Sequence, residues 1–178
     1  SRVRRQRQMC IRDSVSIDKR PAAVDKLSRV GDWEGDTVIG KGHSGALLTM
    51  VERKTLYTII VRLTGKRADL LAEAAIANMK PLKHKVKTIT LDNGFEFAKH
   101  ESIAKALEAS IYFAHPYASW ERGINENTNG LIRQYFPKST DFSKVTDQQV
   151  RWVMNRLNSR PRLSRGGRSP NELSLIHI

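Results

Sequence analysis

Short apolar and β-branched runs separated by polar breaks dominate the first half of the chain. Residues 33–39, 46–51 and 57–63 form three such runs, divided by a Gly-rich break and a charged one. Closely spaced short runs of this kind predict an antiparallel meander of three strands. Residues 88–91 and 111–113 are two further short runs, which predict a fourth and a fifth strand.

Apolar residues recur at helical spacing in four longer segments. The segments are residues 66–79, which Pro81 follows, residues 99–109, residues from about 121 to 135, and residues 146–157. The predicted order is β-β-β-α-β-α-β-α, and such alternation favours a sheet covered by helices. We therefore expect an α/β protein with a mixed five-stranded sheet and helices on both faces.

Positive charge is concentrated at the two ends. The 178 residues carry a formal net charge of +13. Residues 1–30 hold nine Lys or Arg and three acids, residues 151–178 hold six and one, and the middle of the chain is left with +2. A polyanion is the expected partner, although such charge could also serve solubility or ribosome-type binding. We predict a basic N-terminal arm or linker (1–29), a core (30–160) and a basic C-terminal tail (161–178).

Cysteine usage and hydropathy exclude several classes of protein. Cys10 is the only cysteine and the five histidines are scattered, so neither a disulfide framework nor zinc-ligand spacing is present. No apolar run approaches the roughly 20 residues that a membrane-spanning helix needs. The Arg-rich start lacks the apolar centre of a signal peptide. We expect a cytoplasmic protein with no membrane partner.

Three carboxylates lie at predicted strands or on a predicted helix where they could form one site. Asp36 falls in or at the end of the first predicted strand, and Asp92 directly follows the fourth, before an Asn-Gly turn. Gly94 permits a sharp exit from that strand, which would leave Asp92 at the rim of the sheet. Glu126 lies on the third predicted helix. These acids can converge if the two strands are neighbours.

Converging carboxylates in a basic protein suggest metal ions held against phosphate. Hard oxygen ligands suit Mg²⁺ or Mn²⁺, and two such ions can activate a nucleophile and stabilise the leaving oxygen of a phosphodiester. The residues alone leave the choice of acids open. Asp32 and Glu34 share a strand face with Asp36, and Glu121 lies close to Glu126 in the sequence.

The helix that carries Glu126 also carries other polar residues on the same side. Asn129, Gly130 and Arg133 follow Glu126 by three, four and seven residues and therefore share its side. A glycine inside a helix costs about 1 kcal/mol relative to alanine. Close approach of a DNA backbone would explain Gly130, and tight helix packing would explain it too.

Three motifs are long enough to compare with known families. They are residues 33–36 (WEGD), 90–97 (TLDNGFEF) and 114–138 (AHPYASWERGINENTNGLIRQYFPK). Together they resemble the IS-thirty family of bacterial insertion-sequence transposases, over roughly residues 15 to 173. That family belongs with the DDE transposases and retroviral-type integrases. The resemblance implies a ribonuclease-H-like fold, with residues 30–160 as the catalytic core.

The same resemblance implies roles for individual residues. It makes Asp36, Asp92 and Glu126 the catalytic, metal-binding trio, and the 33 residues between the last two match the family's spacing. It places Arg133 near the DNA end, where it would contact phosphate, with a plain helix-surface charge as the alternative. The remaining candidate DNA contacts are Asn129, Lys138 and Arg122.

The implied activity is metal-dependent DNA strand transfer with two Mg²⁺ or Mn²⁺ ions. The protein would cut DNA at the terminal repeats of its element and join the freed 3′-OH to target DNA, as a homo-oligomer associated with the bacterial nucleoid. The alternatives are an inactive DNA-binding regulator and a ribonuclease-H-type nuclease. No helix-turn-helix unit fits before Val15, so we expect an isolated catalytic core with a truncated C-terminal tail.

Overall fold

A five-stranded mixed sheet forms the centre of the protein. The computed structural model describes residues 14–116 and 118–176. The strands lie side by side in the order β3-β2-β1-β4-β5. Their bounds are Asp32–Ile39 (β1), Ala46–Glu52 (β2), Thr58–Leu63 (β3), Thr88–Leu91 (β4) and Ser110–Phe113 (β5). The predicted α/β class and mixed five-stranded sheet are confirmed.

Strand β1 lies in the middle of the sheet, where the pairing changes direction. It runs antiparallel to β2 and parallel to β4, with Glu34 opposite Thr90. The outer pairs follow the same division, because β2 and β3 are antiparallel whereas β4 and β5 are parallel. If the register of β1 and β4 continues for two residues, Asp92 lies beside Asp36.

Helices cover both faces of the sheet. Their bounds are Ala22–Asp25 (α1), Ala68–Met79 (α2), His100–Leu107 (α3), Gly123–Tyr135 (α4), Asp147–Ser159 (α5) and Pro170–Ile176 (α6). On one face, α2 and α3 cover a core that includes Trp33 and Ile103. On the other face, α4 and α5 cover a second core that includes Leu47 and Ile132. Across residues 14–116 and 118–176, no helix is long and apolar enough to cross a membrane.

Local sequence signals set the ends of helices close to their predicted positions. Helix α5 begins at Asp147, one residue after the predicted start. The Thr146 hydroxyl accepts a hydrogen bond from the Gln149 amide at 3.2 Å, and the Gln149 side chain accepts one from the Thr146 amide at 2.8 Å. This capping box pairs amides that would otherwise lack a partner at the start of a helix.

The N-terminal segment differs from its prediction. A mobile arm or linker is predicted for residues 1–29, whereas Ser16 forms a β-bridge with Phe113 at the edge of the sheet. Val24 is fully buried. A free sheet edge offers backbone groups with which another segment can pair. Local periodicity in the sequence does not predict such a long-range contact. The part of the predicted arm at residues 1–13 lies outside the described residues.

The basic C-terminal tail is also folded, up to the end of α6. Arg165 donates hydrogen bonds to the backbone oxygens of Lys54 at 2.6 Å and Arg53 at 3.0 Å. One guanidinium can satisfy several carbonyl oxygens at once. Part of the positive charge that the sequence assigns to a tail is therefore bound to the protein's own backbone.

Candidate active site

Asp36 and Asp92 are carried by two neighbouring strands, β1 and β4, which run parallel. Asp36 belongs to β1, and Asp92 directly follows β4. The Gly94 backbone amide donates to Oδ1 of Asp92 at 2.9 Å, which holds this carboxylate to the turn that follows β4. A Cβ at Gly94 would lie 2.8 Å from the same oxygen. Gly94 has an ordinary φ of −65°, so its contribution is space rather than an unusual backbone angle.

Arg122 bridges these two carboxylates. Its Nη1 lies 3.5 Å from Oδ1 of Asp36, and its Nη2 lies 3.4 Å from Oδ2 of Asp92. Arg122 is the last residue of a short 3-10 turn, Ser119–Arg122, directly before α4. Its Nε is buried and has no hydrogen-bond partner among the described residues. A single cation thus occupies the position between the two acids.

Asp36 is held by several further contacts. The side-chain amide of Asn129 donates to Oδ2 of Asp36 at 2.9 Å, and the backbone amide of Thr37 donates to Oδ1 at 2.8 Å. Burial raises the pKa of Asp36 above its ordinary value, the charge of Arg122 opposes this rise, and the charge of Asp92 adds to it. A positive charge beside the two carboxylates favours their ionised form.

Asn129 is fixed in turn by the sheet. The Thr49 hydroxyl lies within hydrogen-bonding distance, 3.1 Å, of the side-chain oxygens of both Asn125 and Asn129. Thr49 lies opposite Asp36 in the pairing of β1 with β2. These contacts attach the first two turns of α4 to β2, the strand that pairs with the Asp36 strand β1.

Glu126 lies in the first turn of α4 and is exposed. Within residues 14–116 and 118–176, no three side chains of Asp, Glu, His or Cys come close enough together to hold one metal ion. The structure therefore pairs Asp36 with Asp92 and leaves Glu126 on the adjacent helix. Its membership of the trio stays a prediction.

The acids that compete with the trio in the sequence have other partners in the structure. Asp32 accepts two hydrogen bonds from Arg29, each at 3.0 Å. Glu34 is buried and accepts from Arg53 at 2.9 Å and from the Asn125 amide at 2.8 Å. Burial raises the pKa of Glu34, and the charge of Arg53 opposes that rise. Both acids are thus occupied in holding the fold together.

Glu121, the competitor on the helix side, is bound to a histidine. Its two carboxylate oxygens each lie 2.8 Å from a nitrogen of His115, one from the backbone amide and one from Nδ1. This contact closes the loop between β5 and α4. Glu121 therefore supports the loop rather than extending the Asp36–Asp92 pair.

Two of the candidate DNA contacts lie beyond the acids, near the end of α4. Arg133 donates to the backbone oxygen of Ile39 at 2.7 Å and to that of Pro137 at 3.3 Å. Burial lowers the pKa of Arg133. Lys138 is exposed in the turn that follows α4. Arg133 thus joins α4 to the end of β1, and its phosphate contact stays a prediction.

The supporting contacts of Glu34 and Thr49 were not found by sequence reasoning. The even-numbered residues of β1 face α4, so Glu34 and Asp36 point to the same side. That alternation could have suggested a buried partner for Glu34. The identity of the partner depends on Arg53 and Asn125, which lie 19 and 91 residues away in the chain.

Solved structures with a similar fold include retroviral integrase core domains. The catalytic core domain of BIV integrase covers 83% of this chain and 95% of its own, with a TM-score of 0.65 and 18% identity. The HTLV-2 integrase core in complex with magnesium covers 80% and 94%, with a TM-score of 0.61 and 18% identity. The chain therefore shares the fold of these integrase core domains.

The sequence is similar to transposases of bacterial insertion sequences. The transposase of IS4351 from Bacteroides fragilis is 54% identical over 158 residues, which are 89% of this chain and 48% of the relative. The InsI transposase of IS30A from Escherichia coli (strain K12) is 39% identical over 162 residues, 90% of this chain and 42% of the relative. No family model matches the chain.

This chain spans about half the length of the curated relatives it matches. The curated relatives are transposases of IS30 and similar insertion sequences, which confirms the resemblance inferred from the motifs.

Proposed function

We propose that this chain is the catalytic core of a DNA transposase, with a site formed by Asp36, Asp92 and Glu126. The convergence of Asp36, within β1, and Asp92, just after the neighbouring parallel strand β4, carries the proposal, because such pairs can hold metal against phosphate. The transposase names of the sequence relatives support DNA as the substrate.

The Asp36–Asp92 pair fits a divalent cation. Its two carboxylates already share one cation, the Arg122 guanidinium. Carboxylate oxygens are the ligands that Mg²⁺ and Mn²⁺ prefer. The Asp92 side chain is 34% exposed, so phosphate and water can reach it. The HTLV-2 integrase core, which shares the fold, is in complex with magnesium, and we propose that Asp36, Asp92 and Glu126 hold two such ions.

Bound divalent ions would supply Lewis-acid activation of the attacking and leaving oxygens. The chain's own residues then orient and expose the site. Asn129 fixes Oδ2 of Asp36, and Oδ1 is the oxygen that contacts Arg122. Glu34 accepts from the Asn125 amide and so positions the turn of α4 from which Glu126 projects. Once Arg122 releases the two carboxylates, its guanidinium is available for phosphate, for which its planar donors are well suited.

The proposed reaction has two steps at phosphodiester bonds. In the first, water hydrolyses the DNA strand at the element end and leaves a 3′-OH and a 5′-phosphate. In the second, the 3′-OH attacks a target phosphodiester and displaces its 3′ oxygen. In the second step one phosphodiester is broken and one is formed, so no ATP is needed. Two ends have to be joined to one target, and we therefore expect the protein to act as a homo-oligomer on DNA.

Nicking of supercoiled plasmid DNA tests this function without knowledge of the element ends. We expect the wild-type chain to nick plasmid in Mn²⁺ or Mg²⁺, and Asp36→Asn, Asp92→Asn and Glu126→Gln to lose at least about 100-fold in rate, since each loses a metal ligand. Glu101→Gln, which removes an exposed acid from α3, is the matched control and should nick like wild type.

Equal nicking by wild type and Asp92→Asn would contradict the catalytic assignment. A labelled RNA:DNA hybrid distinguishes the nuclease alternative, since a ribonuclease would cleave the RNA strand of the hybrid in preference to the plasmid. DNA binding without any metal-dependent nicking would favour the inactive regulator.

A further inference from the structure

An aromatic groove lies where the end of α4 meets the outer side of α5. Trp152 is 56% exposed there, and its ring makes an edge contact with Tyr135 at a centroid distance of 5.7 Å. A cavity of about 390 Å³ lies along the first half of α5, and one of about 610 Å³ lies along the second half. We call these two cavities with the rings between them the Trp152 groove. Both volumes lie in the range of ligand pockets, about 300–1,000 Å³.

The groove is separate from the acidic site. Tyr135 lies nine residues after Glu126 on α4. At about 1.5 Å and 100° per residue, nine residues correspond to about 13.5 Å along the helix and half a turn around it. The groove therefore opens on another side of the protein than Asp36 and Asp92, and none of the proposed catalytic residues lines it.

The charged side chains that line the groove are arginines. Arg156 and Arg160 line the larger cavity, and no acidic residue is among the described residues that line either cavity. The Arg156 guanidinium lies over the Trp152 ring at 5.7 Å. Burial lowers the pKa of nearby Arg162, and the positive charge of Arg160 lowers it further. The groove thus carries positive charge that no acid lining it offsets.

The polar residues of the groove suit a nucleotide chain. Gln148 and Gln149 line the smaller cavity, whereas Asn155 and Ser159 line the larger one. Exposed aromatic rings between basic and amide side chains are typical of surfaces that bind single-stranded nucleic acid, because bases stack on the rings and phosphates pair with arginine.

We propose that the Trp152 groove binds a DNA strand outside the bond that is cut, with Arg156 and Arg160 on its phosphates and an unpaired base against Trp152. The proposal rests on the proposed function only for the choice of DNA as the polyanion. A second copy of the chain fits the groove less well. In a symmetric dimer the same patch meets itself, which would bring the arginines of both copies into one interface without an acidic residue from the described groove lining to offset them.

Salt-dependent binding of DNA, without divalent ions, tests the phosphate contacts. The probe is a fluorescently labelled single strand of mixed sequence, followed by anisotropy at several salt concentrations. Each phosphate contact to a single strand contributes about 0.7 to the slope of log affinity against log salt. We expect Arg156→Ala/Arg160→Ala to lower that slope by about 1.4. The control is Arg151→Ala/Lys105→Ala, which removes the same charge from exposed helix positions outside the groove, and its slope should match wild type.

Trp152 variants test the base contact. Loss of one stacked base weakens binding by at least about fivefold, so Trp152→Ala should bind the strand at least that much more weakly, whereas Trp152→Phe should retain most of the affinity. The same strand with abasic sites, and a blunt duplex, should show no such difference between Trp152→Ala and wild type. Thermal unfolding of each variant confirms that it is folded.

Three results would overturn the proposal. The first is an equal change of salt slope in the groove variant and its control. The second is an equal loss on intact and abasic strands. The third is a Trp152→Ala variant that keeps its DNA affinity but loses self-association in sedimentation, which would assign the groove to a second copy. A failure of plasmid nicking affects none of these measurements, because they contain no divalent ion.

Discussion

Nη1 of Arg122 lies 3.5 Å from Oδ1 of Asp36. The same guanidinium reaches Asp92 at 3.4 Å. Arg122 therefore neutralises part of the repulsion between two acids that lie side by side. Any metal ion that binds between these acids has to compete with this side chain, because like charges repel at such short distances.

Removal of Arg122 should strengthen metal binding. We expect Arg122→Gln to bind Mn²⁺ about tenfold more tightly than wild type, which corresponds to about 1.4 kcal/mol, because the carboxylates lose a competing cation. Isothermal titration calorimetry without DNA measures this affinity. Arg151→Gln removes a distant exposed charge and is the control. Unchanged or weaker Mn²⁺ binding by Arg122→Gln would show that Arg122 does not compete for the site.

The buried pair of Glu34 and Arg53 should contribute to folding rather than to catalysis. Their side chains are only 1% and 10% exposed, and loss of one partner leaves the other charge buried. We expect Glu34→Ala to lower the free energy of unfolding by about 3–5 kcal/mol, measured by urea denaturation.

A compensating change distinguishes this effect from a simple loss of packing. Glu34→Leu/Arg53→Met replaces both charges and should recover much of the lost stability. A Glu34→Ala variant within about 1 kcal/mol of wild type would contradict the prediction.

Substitution of Gly130 should affect stability and DNA nicking in opposite directions. A Cβ at this position would meet nothing within 4 Å, so packing against the described residues does not require glycine. Gly130→Ala should raise the free energy of unfolding by up to about 1 kcal/mol. If a DNA backbone approaches this face, the same variant should nick plasmid more slowly.

The expected slower nicking by Gly130→Ala can be contradicted directly. A Gly130→Ala variant that is more stable and nicks plasmid at the wild-type rate would exclude close approach of DNA at this position. Thermal unfolding and the plasmid assay, carried out on the same preparation, measure both quantities.

Asp141 should make stability depend on acid pH. Hydrogen bonds from Ser143 and Ser44 lower its pKa from 3.8 to about 2. A carboxylate with a lowered pKa stabilises the folded state above the unfolded pKa, and this contribution is lost as the pH falls toward the folded pKa. Asp141→Asn should therefore melt at a lower temperature than wild type at pH 6, and the difference should shrink as the pH falls from about 4 to about 2.

The control for this pH series is Glu101→Gln, which changes an exposed acid on α3. Its melting temperature should follow wild type across the same range. A constant difference between Asp141→Asn and wild type at every pH would show that the lost contacts do not depend on ionisation of Asp141.

Much of the fold could be predicted because its elements are encoded locally. Residues 88–91 are predicted as a strand and form β4 with those bounds. The segment predicted as a helix at 146–157 forms Asp147–Ser159. Both signals depend on periodicity and capping within a few residues. The packing of Ser16 on Phe113 could not be predicted in this way, because it joins positions 97 residues apart.

The sequence by itself determined the succession of strands and helices along the chain, the basic character of the two ends and the three candidate acids. Only the tertiary structure decided which acids meet. It brings Asp36 beside Asp92 with Arg122 between them, and it buries Glu34 against Arg53. The physical reason is that a charge is stabilised by its neighbours in space, and these neighbours come from distant parts of the chain that meet only when the sheet and α4 are assembled.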